Sequence, residues 1–207
     1  MIEIDLKQKR GSSKDKALTP QERALLFENF ENHDDKKNRI ILILGAFGGL
    51  RVSEIAQVRK EWLKFTKVND KEVLEINIPD KDTNLRNQYK DFVTKTKKAR
   101  TTFIFDLKQA HFIKNVFDYE NIAISRQAIL KRVRSWNDII KREKNKLTVH
   151  SLRSSATNYF IYELNLAPEF AQICLGHTDI RTTYAHYRST GKAQALSYLE
   201  GKLKNDI

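Results

Sequence analysis

The chain has 207 residues, with 38 Lys+Arg against 26 Asp+Glu, a formal net charge of +12 and 40% hydrophobic residues. One Cys excludes a disulfide scaffold and a Cys-rich zinc fold, and seven Gly with three Pro exclude collagen-like and low-complexity chains. The longest apolar run, Ile40 to Leu50, is too short to cross a bilayer and contains Gly45, Gly48 and Gly49; residues 1–10 alternate apolar and charged types where a secretory signal needs a continuous apolar core. The expectation is a soluble, cytoplasmic protein of one domain preceded by a short arm.

A sequence pI near 9.7 with an ordinary hydrophobic fraction points to a folded domain with a polyanionic partner, nucleic acid before an acidic protein or a membrane surface. The basic residues cluster at Lys7 to Lys16, Lys95 to Arg100 and Lys131 to Lys146. Such charges supply affinity and salt dependence rather than choice of sequence.

In chain order, residues 1–17 read as an arm or linker stub and residues 18–207 as the folded domain. Thr19-Pro20-Gln21-Glu22 reads as a helix start, with Thr19 as N-cap, Pro20 in the first turn and Glu22 closing a capping box. A buried helix is expected from about Asp35 to Phe47, ended by Gly48-Gly49, and a short helix restarting with Ser53 as N-cap. Val73 to Ile78, Phe92-Val93 and Thr101 to Phe105 read as strands, the last two flanking a Lys-rich turn. Helices are expected at Leu107 to Phe117, after Ser125, at about Leu152 to Leu164, after Pro168, from Thr178 and from about Lys192. The layout is α+β and mostly α, with a small antiparallel sheet of about three strands.

Three segments place polar residues where a core would take apolar ones. They are Gly49-Leu50-Arg51-Val52-Ser53-Glu54, His150-Ser151-Leu152-Arg153, and Leu175-Gly176-His177 followed by Tyr184 and Tyr187. At i and i+3, His150 and Arg153 belong to one face of a helix start. Two Arg, two His and a Tyr suit attack on a phosphodiester. Guanidinium forks bind phosphate oxygens and stay charged, imidazoles donate or move protons, and a phenolic oxygen can hold phosphorus covalently. Taken singly, each residue has an ordinary structural explanation; the ordered set is what carries the chemistry. Cys174 and His177 also share an i, i+3 spacing, but one Cys is too few for a structural zinc site.

In these three motifs, their order and their separations, the sequence resembles the tyrosine recombinase (phage integrase) family over about Leu18 to Arg188. The resemblance implies that family's catalytic fold and a site-specific recombinase or integrase acting on double-stranded DNA through a 3′-phosphotyrosine. It implies neither a metal nor a nucleotide cofactor. Arg51 matches the first catalytic Arg, His150 and Arg153 the His-x-x-Arg pair, and His177 the second His. Glu54 matches an acidic position that supports the site. Lys95 best matches the family's hairpin Lys, with Lys97 as the alternative. Tyr187 stands ten residues after His177, at the family's usual distance for the nucleophile, and Tyr184 seven after, as the alternative. The resemblance further implies self-association, as a tetramer on DNA, through an amphipathic tail from Lys192 to Leu203, and a role in integrating or excising a viral or plasmid element. A type IB topoisomerase shares the chemistry but fits the integrase-like motifs less well. The core-binding domain that usually precedes this catalytic domain has no counterpart in the sequence, so a catalytic fragment and a short member of the family both remain open.

Overall fold

The computed structural model describes residues 16–31, 36–68, 70–79, 99–120 and 122–177. The expected strand at Phe92-Val93, the helices from Thr178 and Lys192, and Lys95, Lys97, Tyr184 and Tyr187 lie outside the described residues.

Helix α1 (Pro20–Glu31) starts as the sequence demands. The Thr19 amide donates to Glu22 Oε2 at 2.8 Å and the Glu22 amide donates to Thr19 Oγ1 at 3.2 Å, closing the capping box. Helix α2 (Lys36–Ala46) buries every residue from Ile40 to Ala46. It is apolar all round because it is packed all round: α1, α4 (Leu107–Tyr119) and α6 (Val149–Asn158) surround it.

The sheet is antiparallel in the order β1 (Leu63–Val68), β2 (Lys71–Ile78), β3 (Arg100–Ile104). Leu74 is the register point of both ladders, opposite Phe65 on one side and Ile104 on the other. Strand β1 is absent from the sequence reading. Its alternation is diluted by Lys64, Thr66 and Lys67, because as an edge strand it buries only Leu63 fully. Among the described residues the sheet thus has three strands, of which β1 is one that the sequence reading did not name.

Helix α5 (Arg126–Ile139) is capped by Ser125, whose Oγ accepts from the Ala128 amide at 3.2 Å. Ile129, Val133 and Trp136 line its buried face at helical spacing, while Arg126, Lys131 and Arg134 are exposed. Trp136 packs on Phe30 and donates from Nε1 to Asn38 Oδ1 at 3.2 Å, satisfying the indole inside the core.

Two helix boundaries differ from expectation. Helix α3 (Val52–Ile55) starts one residue before Ser53, with Arg51 as its N-cap. Glu54 Oε2 accepts from the Arg51 amide at 2.7 Å, the backward half of a capping box that fixes the helix start at Arg51. Helix α6 begins at Val149, after Thr148 rather than at Leu152, with Thr148 Oγ1 accepting from the Ser151 amide at 3.3 Å. It then widens into a π-helical turn, Tyr159–Glu163, before α7 (Pro168–Leu175). No helix among the described residues is long and apolar enough to cross a membrane.

Candidate active site

The two glycine-bearing motifs meet through backbone geometry that side chains forbid. Gly49 follows α2 with φ +66°, and a Cβ there would come within 2.3 Å of Leu175 Cδ2 and 3.3 Å of Ala156 Cβ. Gly176 caps α7 in the left-handed region with φ +60°, and a Cβ there would stand 2.7 Å from Arg100 Cδ. Glycine therefore does two jobs at each position: it permits the turn and lets another segment lie against it.

The C-terminus of α7 presents three successive carbonyls, and each takes a different arginine. Arg100 Nη1 donates to the Cys174 oxygen, Arg153 Nη2 to the Leu175 oxygen, and Arg51 Nη2 to the Gly176 oxygen at 3.3 Å. The last carbonyls of a helix have no partner within it and carry the negative end of the helix dipole. Three cations from α3, β3 and α6 thus converge on one helix end. The Gly49 oxygen draws two of them further together, accepting from Arg153 Nη1 at 2.7 Å and Arg100 Nη2 at 3.5 Å.

One carboxylate faces the three guanidinium groups. Glu54 is 1% exposed; its Oε1 accepts from Arg51 Nη1 at 2.9 Å and its Oε2 from Arg100 Nη2 at 2.5 Å. Burial works to raise the Glu54 carboxyl, but the charge and hydrogen bond of Arg100, with those of Arg51, hold it below the usual carboxylate range. Burial lowers Arg153 well below the usual guanidinium range, the charges of Arg100 and Arg51 add to this, and Glu54 offsets only part of it. The cluster is short of negative charge, and an entering anion relieves that shortage.

Exposure separates the three arginines. Arg51 keeps 20% of its side chain accessible, whereas Arg100 keeps 5%. Arg153 is buried at 6%, yet its fork has five N–H donors, more than its two carbonyl bonds use. His150 is exposed on the first turn of α6, one turn before Arg153. His177 is half-buried, and its backbone is fixed at both ends: its amide donates to the Gln172 oxygen at 3.1 Å, and its own oxygen accepts from Gln172 Nε2 at 3.1 Å.

The structure therefore joins Arg51, Glu54, Arg153 and the turn carrying His177, and places His150 on the helix that carries Arg153. Arg100 is the member that sequence reading did not single out. It lay in a Lys-rich cluster that reads as solvated turn, and the start of β3 is what makes it a buried residue. Among the described residues no group of three or more His, Cys, Asp or Glu is arranged to hold a metal ion.

Among the described residues the architecture is a mostly helical body with a three-stranded antiparallel sheet, and the arginine cluster draws on both. Solved structures similar to it include the XerA recombinase, with TM-score 0.63 and 17% identity over 90% of this chain and 64% of that one. The XerH site-specific recombinase bound to difH substrate gives TM-score 0.56 and 18% identity over 89% of this chain and 53% of that one. The Tn1549 transposon integrase in complex with a circular intermediate DNA gives 0.60 and 17% over 94% and 68%. The chain spans from about half to about two thirds of these proteins' length. No curated protein sequence matches it. The model of the phage integrase family matches residues 16–194, and the chain belongs to that family.

Proposed function

We propose that the protein is a site-specific DNA recombinase that cuts and rejoins strands through a covalent 3′-phosphotyrosine, serving the integration or excision of a viral or plasmid element. The observation that carries this reading is the cluster of Arg51 and Arg153 with an incompletely compensated charge, built by the motifs that mark the family. The net charge of +12 and the exposed Arg126, Lys131 and Arg134 on α5 favour a DNA backbone as the partner. The similar XerH and Tn1549 structures are complexes of those proteins with DNA.

In the proposed reaction the Tyr187 hydroxyl oxygen attacks the scissile phosphorus. The P–O5′ bond breaks, leaving a 3′-phosphotyrosine and a free 5′-hydroxyl. Arg51 and Arg153 hold the non-bridging oxygens, where charge grows in the transition state, and His177 adds a donor. His150 takes the phenolic proton and Lys95 protonates the departing 5′-oxygen. An unperturbed phenol ionises near pH ~10, so attack near neutrality needs both the base and the surrounding positive charge. A second strand's 5′-hydroxyl reverses the step, and the phosphodiester bond energy is conserved in the protein–DNA link. A tetramer on DNA, assembled through the segment from Lys192 to Leu203, pairs the two duplexes.

The test is capture of a covalent adduct. The protein is incubated with negatively supercoiled plasmid DNA and with nicked suicide duplexes from a pool enriched for binding, then denatured and run on gels. The expected result is a DNA–protein adduct that Tyr187→Phe abolishes and Tyr184→Phe retains. An adduct lost only in Tyr184→Phe moves the nucleophile to Tyr184. No adduct from the unaltered protein on either DNA overturns the reading.

A further inference from the structure

Arg100 is a buried cation that the reaction just described does not use. It is the first residue of β3 and follows Lys98 by two positions in the sequence. Its guanidinium touches three separate parts of the site: Glu54 on α3, the Gly49 carbonyl after α2, and the Cys174 carbonyl at the end of α7. Its aliphatic stem lies over Gly176, so the turn that carries His177 is moulded against it. Burial lowers its pKa from the usual guanidinium range, and Glu54 is the first of the groups that offset this. Only 5% of its side chain is accessible, and both of its Nη nitrogens are taken by Glu54 and the two carbonyls.

We infer that Arg100 is a positioning residue for strand cleavage: its bridge from Glu54 to the end of α7 sets the direction of Arg51 and the place of His177. The inference rests on the recombinase reading and adds a residue to it. Glu54 has two oxygens and two arginine partners. With Arg100 holding Oε2, Oε1 is left to accept from Arg51 Nη1, which turns the Arg51 fork toward the Gly176 carbonyl and the open side of the cluster. Without Arg100, Oε2 keeps only the Arg51 amide, and the carboxylate is free to take the whole Arg51 fork in bidentate fashion. Arg51 would then be drawn inward, away from a phosphate. The same loss releases the Cys174 carbonyl and removes the stem packed on Gly176. A misplacement of about 1 Å in such a group costs about 100-fold in rate.

The experiment is single-turnover cleavage of a nicked suicide duplex selected from a DNA pool, with the full chain. Rate, amplitude and the duplex dissociation constant are measured separately, with thermal unfolding as the fold control. Arg100→Gln is expected to slow cleavage about 100-fold while changing duplex affinity less than about threefold. In an Arg51→Ala background the same change is expected to cost clearly less than in the unaltered protein, because only the part of its action that runs through the His177 turn remains. Arg100→Lys keeps a cation beside Glu54 but lacks the fork that spans two carbonyls, so part of the rate returns; it also carries the test if Arg100→Gln does not fold. A merely structural role would lower amplitude and melting temperature with the rate of the folded fraction unchanged, and that result overturns the inference. Equal losses in the presence and absence of Arg51 overturn it as well. If the unaltered protein forms no adduct, the recombinase reading itself fails and takes the inference with it; an active unaltered protein with an unimpaired Arg100→Gln variant refutes only the inference.

Discussion

Arg153 Nη1 donates to the Gly49 carbonyl oxygen at 2.7 Å, linking two residues 104 positions apart in the chain. The contact joins the turn after α2 to the first half of α6, and the second nitrogen of the same fork reaches the Leu175 carbonyl at the end of α7. Three glycine- or arginine-bearing motifs are thus held by one guanidinium. The Arg153 fork is fixed before DNA arrives, so little ordering remains to be done at the moment of reaction.

That relationship makes Gly49 sensitive to a single methyl group. Gly49→Ala places a Cβ 2.3 Å from Leu175 Cδ2 at a φ of +66°. The neighbouring contact is a side-chain end, but Leu175 is fully buried and Ala156 stands close behind. A loss of about 2 kcal/mol or more in unfolding free energy is expected from strain and overpacking together, read by urea denaturation. A value within about 0.5 kcal/mol of the unaltered protein would show that the α7 end yields freely.

Glu54 gives the molecule a pH dependence with a defined sign. Its folded-state carboxyl lies below the ordinary 4.5, so it binds a proton more weakly in the fold than in the unfolded chain. Its contribution is complete above that ordinary value and disappears as the pH falls through the lowered one. Glu54→Gln removes the only carboxylate among three described guanidinium groups and is expected to cost about 3 kcal/mol near neutrality. The difference between Glu54→Gln and the unaltered protein should shrink as the pH drops below about 4. Denaturant melts at a series of pH values check both statements, and a constant difference down to pH ~2 would contradict them.

Arg142 ties down the start of the described chain. Its Nε donates to Glu22 Oε1 at 2.6 Å and its Nη2 to the Ala17 oxygen at 2.7 Å, while Nη1 donates to the Lys16 oxygen at 2.8 Å. The next amide, Leu18 N, donates to Ser155 Oγ at 2.7 Å on α6. Arg142→Ala is expected to lower stability by about 2 kcal/mol, because it breaks a partly buried charge pair and leaves carbonyls without their donor. It should also speed hydrogen exchange at the Leu18 amide. Unchanged exchange there would mean that Ser155 and the buried Leu18 side chain hold the segment alone.

Much of the helical body was legible in the sequence because its signals are local. The Thr19 and Ser125 caps need only residues three positions away, and the α5 apolar face needs only the helical repeat. Ser53 and Leu152 misled for the same local reason: each lies past the true helix start, and the Glu54 carboxylate and the Thr148 hydroxyl that fix that start become decisive only once the backbone turns toward them. Strand β1 escaped notice because it buries only Leu63 fully, and Lys64 and Lys67, on opposite faces, break the alternation an edge strand needs to be read.

Sequence alone determined the family. Two arginines, two histidines and C-terminal tyrosines at family separations identify residue types and order, and these need no coordinates to read. Tertiary structure alone decided which cations share a charge. The ion pair between Arg100 and Glu54 spans 46 positions, and the three arginines on the end of α7 come from α3, β3 and α6. No local pattern encodes that meeting: the partners are backbone carbonyls, which every residue carries, and burial is conferred by elements far apart in the chain.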